Sequence, residues 1–178
     1  MPYVVSEEKE IEEAINYLVF SIHRSGKNPK PVILHSIRVG IGLYRLDCPK
    51  EVVIGGILHD LLEDTNVSFD DLKERFGSKV ARLVQACSFD ESIRDKTEQY
   101  RELYDRCLKE GEGALLIKIA DFIDNLPYML DVKYAGDLCD FLQEKTQYFM
   151  ELVRPEMKNQ SLFRELIKQF TLLTRATP

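Results

Sequence analysis

The sequence has no run of about 18 uninterrupted apolar residues, and its first residues show no basic stretch followed by an apolar one. Neither a membrane span nor an export leader is expected, and a cytoplasmic setting follows. Cysteine is sparse. Cys48, Cys87, Cys107 and Cys139 lie far apart and form no Cys-x-x-Cys pair, which excludes a zinc knuckle or a thioredoxin-like redox site and fits reduced thiols. Basic residues are also too few for a nucleic-acid groove. The 24 Lys and Arg are outnumbered by 30 Asp and Glu, giving a net charge of −6, whereas binding a phosphate backbone calls for a dense cationic face. A nucleic-acid polymer and a membrane are therefore not expected as partners, while a small anionic substrate remains compatible, because a metal and a few local cations can dominate the field inside a cleft. Repeats, low-complexity tracts, interdomain linkers and a convincing strand pair are missing as well. The oligomeric state is not legible.

What is present is a chain of 178 residues, 44% hydrophobic along its whole length. A chain of this size buries roughly two-thirds of the surface its unfolded form exposes, so a single core needs no disulfide support. The expected architecture is all-α, a single-domain helical bundle over residues 1–178. A first helix starts at Ser6 as N-cap and carries Ile11, Ala14, Ile15, Leu18, Val19 and Ile22. The segment Arg24 to Pro31 reads as a loop, and a second helix runs to about Tyr44 with His35 near its beginning. Pro49 opens a third helix that continues through Leu61 and Leu62. Ser68 to Gly77 and the stretch from Ser78 are read as two short helices. Lys96 to Glu110 and Ala114 to Leu126 are helices, the second of them central. Two more, about 136–153 and 160–174, are separated by Pro155. Tyr100, Tyr104, Phe141 and Phe149 are expected in the core or an interface.

The chemistry concentrates in Ile57-Leu58-His59-Asp60-Leu61-Leu62-Glu63-Asp64-Thr65. At about 100° per residue, His59, Asp60, Glu63 and Asp64 fall within about 140° of one another on a helix whose remaining surface is leucine-rich. Carboxylates packed so closely repel one another in a dry site unless a cation is present. A divalent metal resolves the conflict, and mixed imidazole and carboxylate donors suit Mn, Fe, Co, Ni or Zn. His59 and Asp60 cannot complete a shell alone. Only three histidines exist; His35 is the leading second imidazole, and His23 reads as a helix-end or loop residue. Lys118, Asp121 and Asn125 share one face of an apolar helix, which makes Asp121 the leading second carboxylate. Asp124, rotated about 60° from it, is a weaker candidate. Arg24, Lys27 and Lys30 lead into His35 and are candidate anion contacts, Arg38 lies one turn beyond it, and Lys118 is a further candidate for the substrate.

His35, then His59-Asp60, then Asp121 resemble the ordered signature of the HD-domain metal phosphohydrolases. More narrowly, Leu58-His59-Asp60-x-x-Glu63-Asp64-Thr65, Phe76-Gly77 and Lys118-x-Ala120-Asp121-x-x-x-Asn125 are similar to the hydrolase domain of the RelA/SpoT proteins and the small alarmone hydrolases. The likeness spans residues 12–130, leaving 131–178 as a helical C-terminal extension. The resemblance implies an all-helical enzyme, usually manganese-dependent, that removes pyrophosphate from the 3′ position of guanosine tetra- and pentaphosphate. It implies His35, His59, Asp60 and Asp121 as metal ligands, Glu63 and Asp64 as the groups handling water, and Asn125 facing the nucleotide. The departures fall on substrate binding. The family has an Arg-Lys pair before the first metal histidine, where this loop is shorter and reads Arg-Ser-Gly-Lys-Asn-Pro-Lys-Pro. The family's Asp-Arg-x-x-Asn-x-Arg-Thr is here Asp121-Phe122, then Asn125-Leu126-Pro127-Tyr128, without the arginines or threonine. An HD-type nucleotide phosphatase or pyrophosphatase with another substrate, and a non-catalytic metal- or nucleotide-binding regulatory domain, are the alternatives.

Overall fold

Apolar residues at helical spacing build every described element in the computed structural model, which describes residues 4–26, 31–127 and 137–176. Helices α1 (Val5–Ser25), α2 (Val32–Tyr44), α3 (Lys50–Leu58), α4 (Leu61–Asp64), α5 (Phe69–Cys87), α6 (Lys96–Glu110), α7 (Glu112–Asn125), α8 (Asp137–Met157) and α9 (Ser161–Ala176) follow one another, and no strand occurs among the described residues. The fold is all-α. Local signals set the boundaries. Ser68 and Asp71 cap α5 reciprocally, Ser68 Oγ accepting from the Asp71 amide at 3.1 Å and Asp71 Oδ2 from the Ser68 amide at 2.8 Å. Asp95 Oδ1 accepts from the Glu98 amide at 2.8 Å and starts α6. Gly77, at φ 86°, ψ 163°, breaks α5 into two stretches, a conformation that glycine adopts without strain.

Helices α3 and α7 form the centre. Every residue of α3 from Val52 to Leu58 is buried, as is every residue of α7 from Ala114 to Phe122. Helix α2 packs on both of them. The approach of α2 to α3 is close because glycine stands at the crossing. A Cβ added to Gly40 would lie 2.3 Å from Ile57 Cγ1, and one added to Gly56 would lie 2.5 Å from Leu43 Cδ1. That contact sets the separation between His35 on α2 and His59 at the end of α3. On the far side, Tyr104 stacks at 5.0 Å from Phe149 and 6.2 Å from Phe122, while Tyr100 lies 5.6 Å from Phe141. These tilted and edge contacts tie α6, α7 and α8 together.

Three boundaries differ from the sequence reading. Helix α1 begins at Val5 rather than after Ser6, with the Val4 amide donating to Glu7 Oε2 at 3.2 Å. The third helix does not run through Leu62: α3 stops at Leu58, His59 and Asp60 form a turn, and α4 begins at Leu61. The ladder breaks there because the His59 carbonyl accepts the Ser88 hydroxyl at 3.3 Å, while the Glu63 amide donates to Asp60. Pro155 does not separate two helices. It sits in the last turn of α8, four residues after the exposed Glu151.

Candidate metal centre

Helices α2 and α7 and the α3–α4 turn bring His35, His59, Asp60 and Asp121 together. His35 and His59 are 2% and 1% exposed, and their Nε2 atoms lie 3.3 Å apart. Asp121 Oδ1 is 3.2 Å from His35 Nε2 and 3.7 Å from His59 Nε2. Asp60 Oδ1 is 3.2 Å from His59 Nε2, and its Oδ2 is 3.7 Å from His35 Nε2. Each imidazole is turned by its other nitrogen. His59 Nδ1 donates to the Gly56 carbonyl at 2.7 Å, and His35 Nδ1 faces Asp124 Oδ2 at 2.7 Å. In the neutral rings these contacts place the protons on Nδ1, so both Nε2 lone pairs point at the carboxylate oxygens.

Four acceptors facing one another call for a cation. Metal–ligand bonds of about 2.1 Å at tetrahedral to octahedral angles separate neighbouring donors by about 3.0–3.4 Å. The observed separations of 3.2 to 3.7 Å match that frame with little closure required. His35, His59 and Asp121 fit one divalent ion, with Asp60 beside them.

Protons partly fill the role of a cation when the protein carries no metal. Burial works against charging His35, but its hydrogen bonds to the Asp121 and Asp124 carboxylates outweigh it and push the imidazole up to about 9. His59 is raised too, against its burial, by Asp60 and then Asp121. Asp121 is buried, yet the Lys118 ammonium and the two imidazoles hold its carboxyl well below the usual range. Lys118 is 7% exposed and donates to Asp121 Oδ2 at 2.7 Å, with the Phe89 and Phe122 rings 5.8 and 5.6 Å from its nitrogen. Asn125 Nδ2 donates to Asp121 Oδ1 at 2.6 Å. One oxygen of Asp121 thus belongs to Lys118, and the other is presented to the imidazoles.

The remaining expected site residues divide by position. Glu63 lies on α4, and its Oε1 accepts from the Phe89 amide at 2.8 Å. Burial first, and Asp60 second, raise its carboxyl above the ordinary value. Asp64 ends the same short helix. Arg24 is exposed at the end of α1 and, with Tyr17, Ser21, Thr65 and Arg75, lines a cavity of about 440 Å³ beside the segment that follows Asp64. Arg38 makes a double contact with Asp124, Nε to Oδ1 at 2.5 Å and Nη2 to Oδ2 at 2.7 Å. Lys27, Lys30 and Tyr128 lie outside the described residues. Phe122, where the resembling family carries arginine, is buried and turned to the Tyr104 and Phe149 rings. The bond from His35 to Asp124 was not read from the sequence. The signal for it was a matched spacing: His35 and Arg38 are three apart on α2, as Asp121 and Asp124 are on α7.

An all-helical domain with two buried imidazoles and two carboxylates converging from α2, the α3–α4 turn and α7 defines a class of metal-centred helical domains. The chain belongs to the HD domain family, whose model matches residues 14–152. Among curated relatives, the guanosine-3′,5′-bis(diphosphate) 3′-pyrophosphohydrolase of Aquifex aeolicus is 37% identical over 103 residues, covering 56% of this chain and 15% of that protein. The Drosophila melanogaster protein of the same activity name is 36% identical over 120 residues, covering 64% of this chain and 66% of that one. A solved structure described as a metazoan ortholog of SpoT that hydrolyzes ppGpp superposes with a TM-score of 0.78 at 27% identity, covering 95% of this chain and 97% of that chain. No helix among the described residues is long and apolar enough to cross a membrane.

Proposed function

We propose that this chain is a metal-dependent phosphohydrolase that releases pyrophosphate from the 3′ position of guanosine polyphosphates. The observation that carries the reading is the buried convergence of His35 Nε2, His59 Nε2 and Asp121 Oδ1, with both imidazoles oriented by their opposite nitrogens. The substrate comes from the activity names of the relatives. His35, His59, Asp60 and Asp121 would hold the ion, manganese in this reading. The ion would offset phosphoryl charge and make a bound water more acidic. Glu63, whose carboxyl is raised above its ordinary value by burial and then by Asp60, suits the proton-transfer role. Glu63 takes a proton as the water oxygen bonds to phosphorus, the bond from phosphorus to the ribose 3′ oxygen breaks, and that oxygen receives the proton. Asp64 orients the water, and Asn125, while bound to Asp121, faces the nucleotide.

Arg24 supplies positive charge to the phosphates from the wall of the cavity beside α4. The geometry of Lys118 and Arg38 favours carboxylate partners, so their effect on substrate runs through Asp121 and Asp124. A cytoplasmic setting accords with four free, buried cysteines. A manganese-supplemented panel of guanosine polyphosphates and ordinary nucleotides tests the substrate, with guanosine tetraphosphate expected to turn over fastest. Preference for an ordinary nucleotide would assign the altered nucleotide segment around Phe122 to a different substrate. For the chemistry, Glu63→Gln should lower kcat by about 10²–10⁴ while metal content is unchanged. An unchanged rate in that variant removes Glu63 from the water-handling role.

A further inference from the structure

Two carboxylates on α7 and two cationic or imidazole groups on α2 meet as matched pairs. His35 and Arg38 are one turn apart on α2, and Asp121 and Asp124 are one turn apart on α7. His35 Nε2 faces Asp121 Oδ1 at 3.2 Å, while its Nδ1 meets Asp124 Oδ2 at 2.7 Å. Arg38 then closes on both oxygens of Asp124. The Asp124 side chain is 14% exposed and that of Arg38 is 39%. We infer that Asp124 is a positioning residue that fixes His35 as a metal ligand, with Arg38 holding Asp124 in place.

The physical case has three parts. A carboxylate beyond a ligating imidazole keeps the proton on Nδ1, so the Nε2 lone pair stays on the metal side. The same carboxylate increases the donor strength of the ring. The fork of Arg38 engages both oxygens, which stops Asp124 from rotating towards the cation and competing with Asp121 for it. Removal of such a carboxylate typically weakens metal binding by about 10–100-fold. His59 has only the neutral Gly56 carbonyl in the equivalent position, so the two imidazoles are not equivalent donors. His35 is the more strongly supported of the two.

This inference rests on the metal-centre reading above, and the experiment separates the two. Metal-stripped full-length protein is titrated with manganese(II) by calorimetry, for the unaltered chain and for Asp124→Ala, Asp124→Asn and Arg38→Met. The zinc-loaded forms are examined by nitrogen-15 NMR to read which His35 nitrogen carries the proton. Asp124→Ala is expected to bind manganese about 10–100-fold more weakly and to lose the fixed Nδ1–H signature. Asp124→Asn keeps an acceptor oxygen, so it should restore the tautomer but only part of the affinity. Arg38→Met should weaken binding less than Asp124→Ala. If Asp124→Ala does not fold, Asp124→Asn carries the test. Unaltered affinity and tautomer in the folded Asp124 variants overturn the positioning role alone. Failure of the unaltered chain to bind manganese at all overturns the metal-centre reading with it.

Discussion

Lys118→Met offers a measurement of what the buried ammonium contributes to the site. Methionine has a similar unbranched length and can fill the space between Phe89 and Phe122, so the substitution removes charge with little loss of packing. Asp121 Oδ2 then loses its 2.7 Å partner in a position where both side chains are 9% exposed. Removing one member of a buried ion pair costs about 3–5 kcal/mol. Asn125 and the two imidazoles still serve the other oxygen of Asp121, so the lower end, about 3 kcal/mol, is expected. For a chain of this size that is a fall of about 6–12 °C in Tm. A divalent ion at Oδ1 restores a positive neighbour to the same carboxylate. With saturating manganese, the deficit should therefore shrink to less than half. The assay is thermal unfolding followed by circular dichroism, in chelator and in manganese, for both proteins. Equal deficits in the two conditions would show that Lys118 acts through packing and not through the charge on Asp121. No deficit in chelator would refute the ion-pair argument outright.

Gly40→Ala is expected to destabilise the protein by about 1–3 kcal/mol, because the new methyl falls on Ile57 at the α2–α3 crossing. Denaturant titration measures it, and a change under half a kcal/mol would mean that the crossing yields more easily than its geometry suggests. Ser68→Ala removes the hydroxyl that caps α5 and should cost about 1 kcal/mol, read by the same titration. Without metal, stability should fall as pH rises. The His35 pKa is raised in the folded state to about 9 from 6.5, so its contribution is complete below pH 6.5 and is lost as pH climbs through about 9. With manganese present the trend should reverse over that window, since the ion replaces the protons. Tm values at the two ends of the window, with and without chelator, decide this; a metal-free Tm that rises with pH contradicts the sign.

Much of the site was readable because its residues come from short, patterned stretches. His59 and Asp60, which the structure brings to the candidate centre, sit in one leucine-rich segment, and the lone alternatives for imidazole were His35 and His23. The all-helical class and the central place of α7 followed from apolar spacing. Other features depended on contacts between helices, which no single-helix projection contains. Asp124 was ranked below Asp121 because a helical wheel shows only its rotation from that residue, whereas its partners His35 and Arg38 lie on α2. The break after Leu58 was hidden for the same reason. A continuous leucine-rich run reads as one helix, and the Ser88 hydroxyl that takes the His59 carbonyl comes from the end of α5. Lys118 looked like a cation for substrate because its burial between two rings depends on Phe89, far away in the chain.

Helix α7 carries Lys118, Asp121, Asp124 and Asn125 within little more than two turns, and α9 packs along it. A displacement of that helix cannot move one of these groups without the others: the proposed ligand, its proposed brace and the Lys118 counter-charge travel as one rod. Helix α9 is thereby mechanically linked to these groups, and through them to the proposed metal centre. Removing α9 would therefore disturb the proposed coordination through the alignment of the rod, without altering any of the proposed ligands.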